Sequence, residues 1–304
     1  CLNEWSWPAI VGGQPAHFVR TADGCMFVSV KAVSEDVPLG QIVFFRSLFA
    51  ILPLIIFLWV RHEFPSGLAT KRPSAHFLRA SFGALALFGS FAAVARLNLT
   101  EAILIAQLSP ILVAVGAAVL LSERLTKCRI LGLLFGFFGV IVLVWPELTT
   151  LRGNLRLLGY AIGLGTAALS ALALIMVRSL NQTENPGAIA LYFVLASMIG
   201  GIATLPWCWI TPDMTTLGLL ILSGLLGGFG HIAMTLAFRY AEASRLAPFE
   251  YIALLWPLLA DLFIFRLSLS NSFILAAPLI LAGAVIAAKE KRNGKSHSWF
   301  ARKS

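Results

Sequence analysis

Residues 98–124, NLTEAILIAQLSPILVAVGAAVLLSER, decide the fold that this sequence predicts. The part at 99–121 is apolar and long enough to cross a bilayer, which takes about 20 residues at a rise of about 1.5 Å each. It carries one amide, Gln107, and one proline, Pro110, near its middle, and it ends in the polar run 122–124. The stretch therefore predicts a membrane-spanning helix with a polar side chain at mid-depth.

A second stretch, residues 243–266 (ASRLAPFEYIALLWPLLADLFIFR), has a related pattern. Aligning the two stretches places Gln107 over Glu250 and Glu123 over Arg266. We interpret them as the fourth helices of two five-helix repeats. Because five is odd, the second repeat enters the membrane from the opposite side, and inverted repeats of this kind are typical of alternating-access carriers with a substrate near the midplane.

The composition predicts an all-α integral membrane protein. Of 304 residues, 59% are hydrophobic and only 12% are charged, whereas a soluble domain carries about 25% charged residues. A soluble protein of this composition would have to bury nearly every helix on all sides, which excludes that class. The apolar runs also lack the alternation over about 10 residues that barrel strands show.

The spans predict about ten transmembrane helices. Nine clear spans lie near residues 40–60, 76–95, 99–121, 130–145, 157–178, 187–210, 215–235, 243–265 and 270–288, and a weaker one lies near 15–34. The predicted organisation is an atypical N-terminal segment at 1–24, a first repeat at 25–145, a linker loop at 146–156, a second repeat at 157–288 and a basic cytoplasmic tail at 289–304.

The first helix is atypical, and two interpretations of it stay open. Glu4, His17, Arg20 and Asp23 interrupt any continuous apolar span in the first 24 residues. Only residues 25–33 look like part of a membrane helix. The front half is either altered or missing, or the chain has a genuine but weak first helix.

Lysine and arginine collect on one side of the spans, as cytoplasmic loops require. With the N-terminus inside, the loops near 61–72 and 124–129 and the tail hold most of these residues. The outside loops hold Lys31, Arg96, Arg152, Arg156 and Arg266. We therefore expect a multi-pass protein of the cell inner membrane with both termini cytoplasmic, and we assign the net charge of +9 to orientation rather than to nucleic-acid binding.

Three candidate substrate-binding residues lie on the ninth span. Glu250 is about 10 Å from the inner end of this helix, where a carboxylate is costly and is a functional candidate by default. It either faces the cavity, for proton coupling or for a cationic group, or forms an interhelical hydrogen bond, or lies at the rim and reaches water. Tyr251 and Trp256 either offer stacking surfaces for a planar ligand or pack in the core or against lipid.

Two further candidates lie in the first repeat. Gln107 can donate and accept hydrogen bonds, which suits a flavin, a nucleobase or an amino-acid amide, but buried amides also join helices in membranes. Arg46 on the second span could bind an anionic group, its side chain could extend toward the interface, or it could cap neighbouring carbonyls. We predict Asp261 to be a structural or rim charge and His231 to be a packing residue.

The chain resembles the EamA-type carriers of the drug/metabolite transporter superfamily. The residues that carry this resemblance are QIVFFRSL at 41–48, residues 102–125 with Pro110, residues 132–144, AFRYAEASRLAP at 237–248, and residues 281–288. The resemblance implies ten helices, a central cavity lined by the third, fourth, eighth and ninth helices, small metabolites as cargo and no bound cofactor. The chain departs from the pattern in its first helix and at Arg266, where such repeats often carry a glutamate like Glu123.

The leading prediction is a secondary transporter of a small metabolite, working by alternating access, with import of a vitamin such as riboflavin favoured by similarity. Export of amino acids or drug-like metabolites is the close alternative. A membrane enzyme or a non-transporting scaffold is the alternative of another class, but no H-E-x-x-H, G-x-S-x-G or G-x-x-x-x-G-K-[ST] motif occurs. We predict no catalytic residue and no metal site, with a metabolite and the lipid bilayer as partners, and we leave a homodimer open.

Overall fold

The computed structural model describes residues 14–120, 127–150, 154–240 and 254–288. These residues form twelve α-helices joined by short turns, and no strand occurs among them. In chain order the helices are α1 (Gln14–Val33), α2 (Leu39–Val60), α3 (Pro73–Arg96), α4 (Leu99–Ala106), α5 (Leu108–Leu120), α6 (Lys127–Thr150), α7 (Asn154–Leu180), α8 (Pro186–Ile202), α9 (Leu205–Cys208), α10 (Met214–Tyr240), α11 (Leu255–Leu259) and α12 (Asn271–Ala288). A single π-helical turn, Ala260–Ile264, follows α11. The predicted all-α fold is confirmed.

Five of these helices contain segments long and apolar enough to cross a membrane: Leu39–Val60, Pro73–Arg96, Ile130–Thr149, Leu155–Leu180 and Met214–Leu236. Four shorter apolar helical segments accompany them. Large apolar side chains point away from the bundle, and on α6 the exposed fractions are 59% for Leu134, 58% for Phe138 and 60% for Trp145. A surface this apolar fits a lipid environment.

Helix boundaries follow local sequence signals in most places. Pro73 and Pro186 each occupy the first turn of a helix, where a missing backbone N–H costs nothing. The side chain of Asn185 caps α8 by accepting a hydrogen bond from the Gly187 N–H at 2.8 Å. The first described helix is continuous from Gln14 to Val33.

Several predicted spans differ from the structure. The span predicted at 187–210 is divided into α8, which ends at Ile202, and the short α9. The predicted span 99–121 is divided at Gln107 into α4 and α5, because Pro110 cannot donate the backbone hydrogen bond that would continue the helix. Helix α6 passes through Pro146 and ends at Thr150, beyond the predicted end at 145. The repeat boundaries at 25–145 and 157–288 stay predictions.

The helix packing has an internal symmetry. Exchanging each span of the first predicted repeat for the corresponding span of the second (α1 for α7, α2 for α8, α3 for α10 and α6 for α12) preserves the main helix contacts. Helix α3 packs on α7 as α10 packs on α1, and α2 packs on α10 as α8 packs on α3. Two contacts map onto themselves, α2 with α8 and α6 with α12. This exchange is the relation expected of two five-span repeats about a pseudo-two-fold axis.

Two hydrophobic cores fill the bundle. The first lies among α4, α5, α6, α7 and α12, and the second lies among α1, α2, α8 and α10. Helix α3 lies between them, since Val94 joins the first core and Phe91 joins the second. The candidate site lies in the second core.

Candidate functional site

A buried polar group, which we name the arginine cluster, consists of Arg46 on α2, Arg79 on α3, Phe193 on α8 and His231 on α10. The Phe193 ring is its centre: the guanidinium carbon Cζ lies 4.6 Å from the ring centroid for Arg79 and 5.9 Å for Arg46. The His231 ring centroid lies 4.4 Å from the same centroid. Four helices from both predicted repeats therefore bring cationic and aromatic groups to one place.

Arg46 is almost wholly inaccessible, with 1% of its surface exposed. Its Nη2 donates to the sulfur of Met26 at 3.8 Å, a weak interaction for a charged donor. A Cβ atom built on Gly227 would lie 2.7 Å from both Nε and Nη2, so the guanidinium packs directly against α10. Among the described residues, Nε and Nη1 find no hydrogen-bond acceptor.

Arg79 is also buried, with 3% of its surface exposed. A Cβ atom on Gly83 would collide with Nη1 of Arg79 and would lie 2.8 Å from the Phe193 ring. Glycine at this position thus lets the guanidinium fold along α3 and over the ring. Its Nε and Nη1 have no acceptor within the part of the chain that the structure describes.

One carboxylate lies close to the cluster. Asp23 on α1 approaches α10 so closely that a Cβ atom on Gly230 would collide with its Oδ1. Its charge attracts Arg46, whereas no carboxylate in the described ranges exerts a comparable attraction on Arg79. The described part of the site therefore holds two guanidinium charges and one carboxylate.

The cluster lies deep in the bundle. Arg46 is about 10 Å along α2 from its start, and Arg79 is about 9 Å along α3 from the opposite end of the molecule, at about 1.5 Å per residue. Charged side chains at such depth are costly and are usually paired or functional. In the described ranges, no group of three or more His, Cys, Asp or Glu side chains could hold a metal ion.

Gln107 lies where the fourth span is interrupted. It ends α4, its backbone N–H donates to the carbonyls of Ile103 and Leu104, and only 5% of its surface is exposed. Discontinuous helices at mid-depth are common in transporter binding sites. Its neighbour Leu108 belongs to the first core, whereas Phe193 of the arginine cluster belongs to the second.

Trp256 on α11 packs against α1. A Cβ atom on Gly24 would lie 2.7 Å from the Trp256 Cβ, and 36% of the tryptophan surface is exposed. The contact places Trp256 one residue along α1 from Asp23, without a described contact to either arginine. Glu250 and Tyr251 lie outside the described residues, so their binding roles stay predictions.

A small cavity lies beside Gln107, between α1, α3, α4 and α7. Its volume of about 20 Å³ is enough for a water molecule and too small for a metabolite. Ser90 and Thr166 provide its hydroxyl groups, and Phe27 and Ile103 contribute apolar walls.

A network at one end of the bundle, which we name the Arg156 end, ties five helical segments together. Arg156 on α7 binds Glu101 on α4 at 2.9 Å and Glu147 on α6 at 2.7 Å. Lys31 on α1 donates to the carbonyls of Val94 and Leu97 at the end of α3, at 3.0 and 3.2 Å. These contacts link α1, α3, α4, α6 and α7 at this end of the bundle.

Asp261 belongs to the same end and has a structural role. Its carboxylate accepts from the Leu99 N–H at 3.3 Å, the Thr100 N–H at 2.8 Å and the Thr100 hydroxyl at 2.5 Å. It thereby caps the start of α4 from across the bundle, where unpaired N–H groups favour a negative charge.

Arg79 is the functional candidate that the sequence prediction omits. It lies close to the start of the predicted span 76–95, where an arginine normally extends to the interface. His231 is predicted as a packing residue, and its ring does pack against Phe193. The signal that could have identified Arg79 is the presence of two arginines inside apolar spans without carboxylates nearby in sequence.

Comparison with known proteins places the chain in a family. The sequence profile of the EamA-like transporter family matches residues 22–145. The pseudopaline exporter of Pseudomonas aeruginosa (strain UCBPP-PA14) is 30% identical over 231 residues, which cover 75% of this chain and 78% of that protein. The riboflavin transporter of Rhizobium johnstonii is 29% identical over 231 residues, with 72% of each chain covered.

Two further similarities agree with this assignment. The S-adenosylmethionine uptake transporter of Rickettsia prowazekii is 24% identical over 266 residues, covering 84% of this chain and 86% of that protein. A crystal structure matches with a TM-score of 0.66 at 18% sequence identity, over 90% of this chain and 96% of the other, which shows the shared fold. The chain belongs to the EamA-like transporter family, the EamA-type branch of drug/metabolite transporters, and is a multi-pass membrane transporter of a small molecule rather than an enzyme.

Proposed function

We propose that the protein is a secondary carrier that moves a small metabolite across the bacterial inner membrane by alternating access. The observation that supports this most is the arginine cluster, where α2 and α3 of the first predicted repeat meet α8 and α10 of the second. A static scaffold has no need for charged groups at this depth, whereas a carrier needs polar groups where its halves meet.

The exchange symmetry of the packing supports rocking of one half against the other. In this mechanism the Arg156 end closes in one state and opens in the other. We assign this end to the outer face of the membrane and both termini to the cytoplasm, in accordance with the distribution of lysine and arginine. Rocking exposes the arginine cluster to each side in turn.

Import is the direction that we test first, with riboflavin as the first substrate, because one relative is a riboflavin transporter. Export is the second candidate, supported by the relative named as a pseudopaline exporter. Gln107, Trp256 and Arg46, together with Glu250 and Tyr251 from the sequence, stay candidate binding residues.

The test is saturable uptake of radiolabelled riboflavin into cells that lack their own route, repeated with everted membrane vesicles to detect export. The wild type is compared with the Gln107→Ala variant and with an empty vector at equal membrane abundance. Saturable transport in one orientation supports a carrier, and its reduction in Gln107→Ala places the amide in the site. Rates equal to those of the empty vector in both preparations, across riboflavin and an amino-acid panel, would contradict the proposal.

A further inference from the structure

We infer that Arg46 and Arg79 form an anion-recognition site, so that the transported metabolite carries a carboxylate or a phosphate group. The inference rests on the proposed function, because it names the substrate class of the same carrier. The geometry of the arginine cluster, its charge balance and the unused hydrogen-bond donors support it independently.

Each of the two guanidinium groups has N–H donors that no described residue accepts. Both guanidinium carbons lie over the Phe193 ring, with Cζ 4.6 Å from the ring centroid for Arg79 and 5.9 Å for Arg46, and an aromatic ring attracts a cation without accepting its N–H groups as a carboxylate does. Nε and Nη1 of each arginine find no acceptor among the described residues. A planar carboxylate or a phosphate is the partner that such N–H edges fit best.

Among the described residues of the arginine cluster and its surroundings, two guanidinium groups carry positive charge and one carboxylate carries negative charge. Asp23 attracts Arg46 and offsets one of the two guanidinium charges. Arg79, with 3% of its surface exposed, receives no comparable attraction from a described carboxylate. A buried guanidinium that no described carboxylate pairs is unfavourable, even with an aromatic ring beside it. A substrate with one anionic group would remove that penalty.

Entry to the site requires the helices to move. Glycine at positions 83 and 227 lets the backbone contact the two guanidinium groups with no spare room, and both arginines are buried. The anion therefore binds when rocking moves α8 and α10, which carry Phe193 and Gly227, away from the two arginines on α2 and α3. Closure around the anion is favourable because it pairs the charge, whereas closure of the empty site is not.

The test compares matched anionic and uncharged compounds. Thermal unfolding of the purified full chain in detergent is measured with increasing succinate or dimethyl succinate, and with flavin mononucleotide or riboflavin. The two pairs distinguish a carboxylate from a phosphate. Variants Arg46→Met and Arg79→Met remove each charge and keep an unbranched side chain. Arg96→Met is the matched control on α3, since Arg96 donates only to the Ala92 carbonyl among its described contacts, at 2.9 Å.

We expect at least one anion to raise the unfolding temperature, with its uncharged partner requiring at least about 30-fold higher concentration, the equivalent of about 2 kcal/mol for a buried charged hydrogen-bonded pair. Arg79→Met should abolish this difference and Arg96→Met should preserve it. The empty Arg79→Met protein should also unfold at a higher temperature than the wild type, because an unpaired buried charge is gone.

Equal effects of anionic and uncharged compounds, no response to any anion, or an anion response that survives both Arg46→Met and Arg79→Met would overturn the inference. So would a lower unfolding temperature for empty Arg79→Met, which would mean that the arginine is a structural partner. Saturable riboflavin transport would overturn the inference, because riboflavin carries neither a carboxylate nor a phosphate, and it would leave the carrier function intact.

Discussion

At the scale of single residues, the side chain of Asp261 on the ninth span accepts hydrogen bonds from the start of the fourth span. Its carboxylate, 1% exposed, receives two backbone N–H groups and a hydroxyl at the start of α4. Removing it leaves these donors buried and unpaired. We expect Asp261→Ala to lower the free energy of unfolding by about 3 kcal/mol, from the usual values for caps and for hydrogen bonds to charged acceptors.

Thermal unfolding in detergent measures this effect, with Asp213→Ala as the matched control. Asp213 caps α10 through the Thr215 and Thr216 N–H groups at 3.2 and 3.3 Å, but it is exposed. Hydrogen bonding to Thr216 holds the pKa of Asp213 below its ordinary value. A loss in Asp261→Ala no larger than in the control would contradict the structural role.

The residues of the site were predictable only in part. Gln107 could be identified because an amide in an apolar run, followed three residues later by Pro110, indicates both polarity and a helix break. Arg46 could be identified for a similar reason. The partnership of Arg79 with Phe193 could not, because it depends on how α3 and α8 pack across the two predicted repeats.

At the scale of helices, the contact between α2 and α10 depends on glycine. A Cβ atom on Gly224 would lie 2.5 Å from the Phe49 Cβ and 2.8 Å from the Arg46 carbonyl oxygen. The helices would have to separate. We expect Gly224→Ala to lower the free energy of unfolding by about 1–3 kcal/mol, the usual cost of overpacking.

Gly218→Ala on the same helix is the control for helix propensity. A Cβ atom there would meet nothing within 4 Å, and the position is exposed. Alanine favours a helix over glycine by about 1 kcal/mol, so this variant should be neutral or more stable. The pair is compared by thermal unfolding, and equal losses in both variants would show that close packing is not the cause.

The presence of the helices was easier to predict from the sequence than the residues at which they begin and end. Long apolar runs indicate spans because backbone groups in lipid must be paired within the helix. The continuation of α6 through Pro146 was not predictable, since the residue before a proline usually leaves the helix. The first helix was ambiguous because Asp23 interrupts its apolar pattern, and the structure explains that charge by the proximity of Arg46.

At the scale of the whole molecule, the Arg156 end should act as a latch. Arg156→Gln removes the ion pairs with Glu101 and Glu147 and leaves Glu101, whose side chain is 2% exposed, without its cation. An uncompensated buried charge is costly in the closed state, so the population should shift toward the state that is open at this end.

Thiol labelling at Ser90, which lines the small cavity, measures that shift. In a background without the four native cysteines, Ser90→Cys should react at least about fivefold faster when combined with Arg156→Gln, the rate change that corresponds to about 1 kcal/mol of population shift. Arg61→Gln is the control, because it breaks the pair with Glu63, whose side chain is 24% exposed, against 2% for Glu101. Equal labelling rates in the two variants would contradict the latch.

The central claim is that a small metabolite crosses the membrane through a site between the two halves. Counterflow in proteoliposomes tests it most directly: vesicles loaded with an unlabelled metabolite are diluted into a trace of the same labelled compound, and transient accumulation is followed for the wild type and for Arg79→Met. We predict accumulation above protein-free vesicles for at least one compound of the flavin and carboxylate panel, and its loss in the variant. No accumulation with any compound, from protein shown to be folded and inserted, would contradict the account.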